Sequence, residues 1–118
     1  MLVASTGVVS NAATGTIDNI YVDYPEGNNY TSKISKTSTT SYASANLTKI
    51  TTSNHAGHYL KVRKNGATAS ETLSFSSTGT KKPSYLSGYA KAGSGYDLYF
   101  YSASASAGMY ITGTWTPN

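Results

Sequence analysis

The sequence contains no cysteine. That excludes a disulfide framework, a thiolate metal site and a cysteine nucleophile. Charge is scarce as well: 12% of the 118 residues are Asp, Glu, Lys or Arg, and five of them are acidic. A coiled coil or helical bundle needs abundant Ala, Glu, Lys and Leu at heptad spacing, and the chain has no such pattern. No apolar run reaches the roughly 18 residues of a membrane-spanning helix. Phenylalanine and tryptophan number two and one.

Strand formers take their place. There are eleven tyrosines, seventeen threonines and eighteen serines. Disorder goes with high net charge or few aromatics, and this chain has neither. Threonine and tyrosine both favour strands, and tyrosine suits a half-buried sheet because its ring packs while its hydroxyl stays wet. The length fits one domain, which buries roughly 65% of its unfolded surface and needs no metal or disulfide to fold.

Residues 1–12 are apolar and small. They read as the end of a signal-peptide hydrophobic region, with Ser10 and Ala12 as the small residues of a cleavage site. On that reading the mature domain is 13–118 and the protein is exported. The other reading is an ordinary N-terminal strand.

Alternation marks the strands that follow. In 17–24, Ile20, Val22 and Tyr24 share a face and Tyr21 and Asp23 the other. Pro25-Glu26-Gly27-Asn28-Asn29 is a turn cluster. Residues 30–40 read as an edge strand, with Lys33 and Lys36 discouraging further pairing. Residues 42–50 put Ala43, Ala45 and Leu47 on one side. In 58–64, Leu60 and Val62 point in and Tyr59, Lys61 and Arg63 out. Asn65-Gly66 supplies the two positive-φ residues of a type I′ hairpin turn. Its partner strand is expected over 67–77, with Leu73 and Phe75 inward. Strands over 85–91, 96–103 and 109–116 complete the set. In 96–103, Leu98 and Phe100 oppose Asp97, Tyr99 and Tyr101; in 109–116, Met109, Ile111 and Trp115 share a face. The sequence therefore predicts an all-β fold, an antiparallel β-sandwich of about seven or eight short strands with a turn every 8–12 residues.

Charge is unevenly placed. Three acidic and no basic residues precede Tyr30, whereas nine basic and two acidic residues follow it. A basic body can meet an anionic surface, or its lysines can serve solubility and edge protection.

Catalytic chemistry finds little support. His55 and His58 lie three apart, but a metal site needs two more ligands from very few carboxylates. Asp18, Asp23, Glu26 and Asn28 offer oxygen ligands around a turn without the spacing of a calcium loop. Glu26 and Glu71 are the only glutamates, and neither sits in an apolar context that would raise its pKa for glycoside hydrolysis. There is no Gly-x-Ser-x-Gly elbow and no phosphate-cradling glycine loop. No enzyme and no cofactor are expected.

The tyrosines near the end carry more information. Tyr99, Tyr101 and Tyr110 are expected as an outward stripe on adjacent strands, with Lys81, Lys82 and Lys91 attracting anions. Cross-strand pairing that merely stabilises the sheet is the competing account. The expected partner is a cell-envelope polymer or a surface glycan and not nucleic acid, which export would make the least expected ligand. Adhesion or carbohydrate binding through the same stripe is the alternative. Assembly of copies through the edge at 30–40 is the third reading.

The ending Met109-Tyr110-Ile111-Thr112-Gly113-Thr114-Trp115-Thr116-Pro117-Asn118, with the glycine-rich then aromatic run 88–102 before it, resembles small secreted proteins of Gram-positive bacteria. Those end in a tyrosine-bearing strand and a Gly-x-Trp-Ser/Thr-Pro tail. They are distantly similar to lactococcin-type bacteriocins, exported β-sandwiches that act at the cell envelope. The resemblance implies a secreted, bacteriocin-like or associated envelope factor. It gives Trp115 a packing role and makes Gly113 a point of close approach. It covers the last third of the chain; the histidine-rich first half and the several tryptophans of those bacteriocins have no counterpart here.

Overall fold

A computed structural model of the chain describes residues 13–22, 29–51, 57–102 and 109–118. The signal-like segment, Asp23, Glu26, Asn28, Tyr24 and His55 lie outside the described residues. The described chain is all β, with no helix. The strands are β1 (Gly15–Val22), β2 (Ile34–Ser35), β3 (Ser44–Thr51), β4 (His58–Lys64) and β5 (Ala67–Thr68). Then follow β6 (Leu73–Phe75), β7 (Gly79–Lys81), β8 (Gly95–Ser102) and β9 (Met109–Thr116). They form two antiparallel sheets. One has the order β1-β9-β3-β7; the other has β2-β8-β4-β5, with β6 also pairing β4.

Inward side chains of both sheets join one apolar cluster. Ile17, Leu47, Ile111 and Trp115 come from the four-stranded sheet, and Leu60, Val62, Tyr96, Leu98 and Phe100 from the other. Each large aliphatic or aromatic group buried there contributes about 1.5–3 kcal/mol. The alternation read from the sequence gives the right inward face for β1, β3, β4, β8 and β9.

Alternation alone does not explain how Ile17 and Ile20 both point toward the core. An extra residue in β1, with Asn19 at φ +48°, resets the phase between them. Asparagine tolerates that conformation better than most residues. β3 also carries an extra residue opposite Thr112–Gly113. The central strand β9 is thus flanked by two bulges at the same level. Gly113 sits there, and a Cβ on it would overlap the Asn46 main-chain oxygen. The close approach expected at this glycine is made by the neighbouring strand.

The β4–β5 hairpin turns on Asn65 (φ +51°) and Gly66 (φ +83°), as the sequence predicts. The expected partner strand over 67–77 is instead broken into β5 and β6. Ser70 explains how the gap is bridged: its buried Oγ accepts a hydrogen bond from the Val62 amide at 2.8 Å, replacing a main-chain partner. Residues 69–71 pair instead with 84–86, through Glu71 N–Ser84 O and Leu86 N–Ala69 O. Residues 83–85 also bond 41–43 from the opposite side, through Ala43 N–Pro83 O and Tyr85 N–Ser41 O. This segment joins the two sheets along one edge, so the strand expected over 85–91 is reduced to single bridges and turns.

The edge expected at 30–40 exists, but only β2 and a Tyr30–Tyr99 bridge pair with β8. Lys36 does not stand at the edge in solvent: it is 1% exposed. Its Nζ donates to the Thr40 oxygen at 2.7 Å and lies within 3.4 Å of the Pro117 and Asn118 oxygens. It also stands 4.7 Å from the Tyr85 ring centroid. Three oxygens and a π face offset part of the loss of water that burial imposes.

Candidate functional site

The outer face of the five-stranded sheet is built by cross-strand register. β4 and β8 place Tyr59 opposite Tyr101, Lys61 opposite Tyr99 and Arg63 opposite Asp97. Each pair interacts, as side chains directly opposite in an antiparallel pair do. Tyr59 and Tyr101 stack at 5.1 Å with planes 23° apart. Lys61 Nζ lies 5.6 Å from the Tyr99 centroid and 5.8 Å from that of Tyr101. Arg63 bonds Asp97 in a fork, Nε to Oδ1 at 2.9 Å and Nη2 to Oδ2 at 3.2 Å. Its guanidinium also lies between Tyr99 and Tyr30, at 4.1 and 4.8 Å.

Lys33 extends the basic end of this face. Its stem crosses over Gly95, where a Cβ would meet it, and its Nζ reaches Asn65 Oδ1 at 3.2 Å. The ladder thus holds Lys33, Lys61 and Arg63 against one acid, Asp97. Tyrosine rings hold Lys61 and Arg63, Asn65 holds Lys33, and all three cations stay at least partly solvated.

The sequence-predicted residues do not form one site. Tyr99 and Tyr101 share the ladder, but Tyr99 is 3% exposed and serves as its hub. Tyr110 lies on β9, in the other sheet, beside Tyr21 at 5.0 Å. The expected stripe fails because strands consecutive in sequence, β8 and β9, belong to different sheets. Lys81 is on β7, Lys82 stands 5.4 Å from the Tyr42 centroid, and Lys91 occupies an exposed turn. None of the three belongs to the ladder contacts. Sequence reasoning had Tyr59, Lys61 and Arg63 outward, yet missed them as site residues because their partners on β8 appear only with the register. Tyr30 and Tyr21 were missed for the same reason.

Two other polar features stand apart. A cavity of about 290 Å³ is lined by His58, Ser74, Ser76, Ser77 and Lys81 among others. At Lys36, burial lowers the ammonium pKa from its ordinary value. Burial raises that of Tyr85, whose hydroxyl donates to the Pro117 oxygen at 2.7 Å, and the neighbouring Tyr96 adds to the rise. Among the described residues no three of His, Asp and Glu gather to hold a metal, and no helix is long and apolar enough to cross a membrane.

Comparison with protein-family models, with curated proteins and with solved structures finds no match to this chain.

Proposed function

We propose that the protein is a secreted, non-catalytic binding module of the Gram-positive cell envelope, bacteriocin-like or associated with such a factor. Its ladder face takes an anionic envelope polymer. The observation that carries this reading is the fixing of Lys61 and Arg63 on tyrosine faces in cross-strand register. A cation held in place loses less side-chain freedom on binding than a solvated lysine does. The formal net charge of +4 favours encounter with a polyanion, and screening by salt weakens it. The stacked Tyr59–Tyr101 pair spends its inner ring faces on itself, which suits scaffolding better than sugar stacking.

The test is retention of the full chain on poly(glycerol phosphate) beads. Wild-type protein is expected to bind at low salt and elute as salt rises. Lys61→Gln is expected to weaken binding about two- to fivefold while leaving the fold intact. Binding that ignores both salt and Lys61 would remove this reading.

A further inference from the structure

The outer face of the four-stranded sheet differs from the ladder in kind. Register lays its outward residues in rungs across the strands. Thr16, Thr114, Asn46 and Thr80 form one rung, and Tyr21, Tyr110 and Thr51 another. Thr112 and Thr48 fill the space between them. All but Thr112, which is half-buried, are exposed. Only Asp18 and Lys49 bring charge to this face from β1, β3 and β9, and no aliphatic side chain points outward there.

Tyr21 and Tyr110 are 43% and 47% exposed, and their rings are tilted 51° to each other. Thr51 Oγ1 donates to the Tyr110 oxygen at 3.3 Å, and Thr48 Oγ1 to the Thr112 oxygen at 3.2 Å. Those hydroxyls are oriented by the sheet and keep lone pairs directed away from it.

We infer that this face binds a neutral polysaccharide chain. A sugar ring has an apolar face that packs on tyrosine and an equatorial rim of hydroxyls that both donate and accept. Within a rung, neighbouring side chains stand about 4.8 Å apart across the strands, and their Thr and Asn groups match that rim with donors and acceptors. A polyanion would find almost no cations here. A protein partner would find no outward aliphatic side chain on β1, β3 or β9 to bury around the tyrosine pair. The ladder and this face belong to opposite sheets, so the second site stands whether or not the first binds an anionic polymer.

The experiment is a pull-down of the full chain on insoluble cellulose, chitin and starch, at about 0.05 M and about 0.5 M NaCl. Retention on at least one of the three, unchanged by salt and by Lys61→Gln, is expected. Tyr110→Ala should weaken it about tenfold and Tyr110→Phe should retain most of it, with circular dichroism reporting that both variants fold. No retention on any of the three overturns the inference. So does retention that falls with salt, or that survives Tyr110→Ala in a folded protein.

Discussion

Arg63 lies across the face of Tyr99, its guanidinium carbon 4.1 Å from the ring centroid. The same group forks onto Asp97 and touches Tyr30. One side chain therefore ties β4, β8 and the edge segment carrying Tyr30 into a single face. Arg63→Ala removes the fork and both ring contacts and leaves Asp97 largely buried without its partner. We expect a loss of about 2–3 kcal/mol in urea unfolding. Arg63→Lys keeps the charge but not the planar fork, and is expected to lose about half as much. An unchanged midpoint for Arg63→Ala would show that the face is not held this way.

Two glycines separate two kinds of constraint. At Gly66 nothing lies within 4 Å of an added Cβ, and only the positive φ opposes a side chain. Gly66→Ala is expected to cost about 1 kcal/mol. At Gly113 the obstacle is the Asn46 backbone, with the Leu47 Cα 3.1 Å from the added carbon. Backbone in the middle of a sheet cannot swing aside, so Gly113→Ala is expected to cost about 3 kcal/mol or more. Thermal denaturation of the pair ranks them, and the reverse order would contradict the packing described for β9.

Ser70 completes the ladder where the hairpin breaks. Ser70→Ala leaves the buried Val62 amide without an acceptor. The expected loss is about 1–2 kcal/mol, and amide hydrogen exchange should rise at Val62 before its β4 neighbours. Equal protection at Val62 in wild type and variant would contradict the substitution of side chain for main chain.

Alkaline pH probes the other end of the sandwich. The Tyr85 pKa is raised from its ordinary 10.0, so the folded state holds the phenol proton more tightly than the unfolded chain does. Its stabilising contribution is full below pH 10 and is lost progressively as pH rises above it. Lys36 acts with the opposite sign, because its lowered pKa makes folding gain as pH rises toward 10.5. Tyr85→Phe forfeits the bond to Pro117, about 1 kcal/mol at neutral pH, and is expected to flatten the fall in stability above pH 10. A fall as steep as that of the wild type would assign it elsewhere.

Much of the fold was legible because it rests on local chemistry. Alternating side chains fix which face of β4 or β8 is buried, and Asn65-Gly66 fixes its own turn. What was not legible depends on pairs distant in sequence. Nothing in residues 96–110 indicates that β8 and β9 part into different sheets, so Tyr110 could not be separated from Tyr99. The phase shift at Asn19 depends on β9, and the burial of Lys36 depends on carbonyls about eighty residues away. Lysine near an edge ordinarily reads as solvent-facing, and only those carbonyls reverse that reading.

The central claim is that the cations on the outer face of the five-stranded sheet, Lys61 held over tyrosine rings and Lys33 held beside Asn65, meet an anionic envelope polymer. Its most direct measurement is the amount of protein bound to intact Gram-positive cells as NaCl rises from about 0.05 M to about 0.5 M, for the wild type and for Lys33→Gln/Lys61→Gln. The account predicts binding that falls steeply with salt in the wild type, and that is weak and nearly salt-independent in the double variant. Equal binding by both proteins at every salt concentration would contradict it.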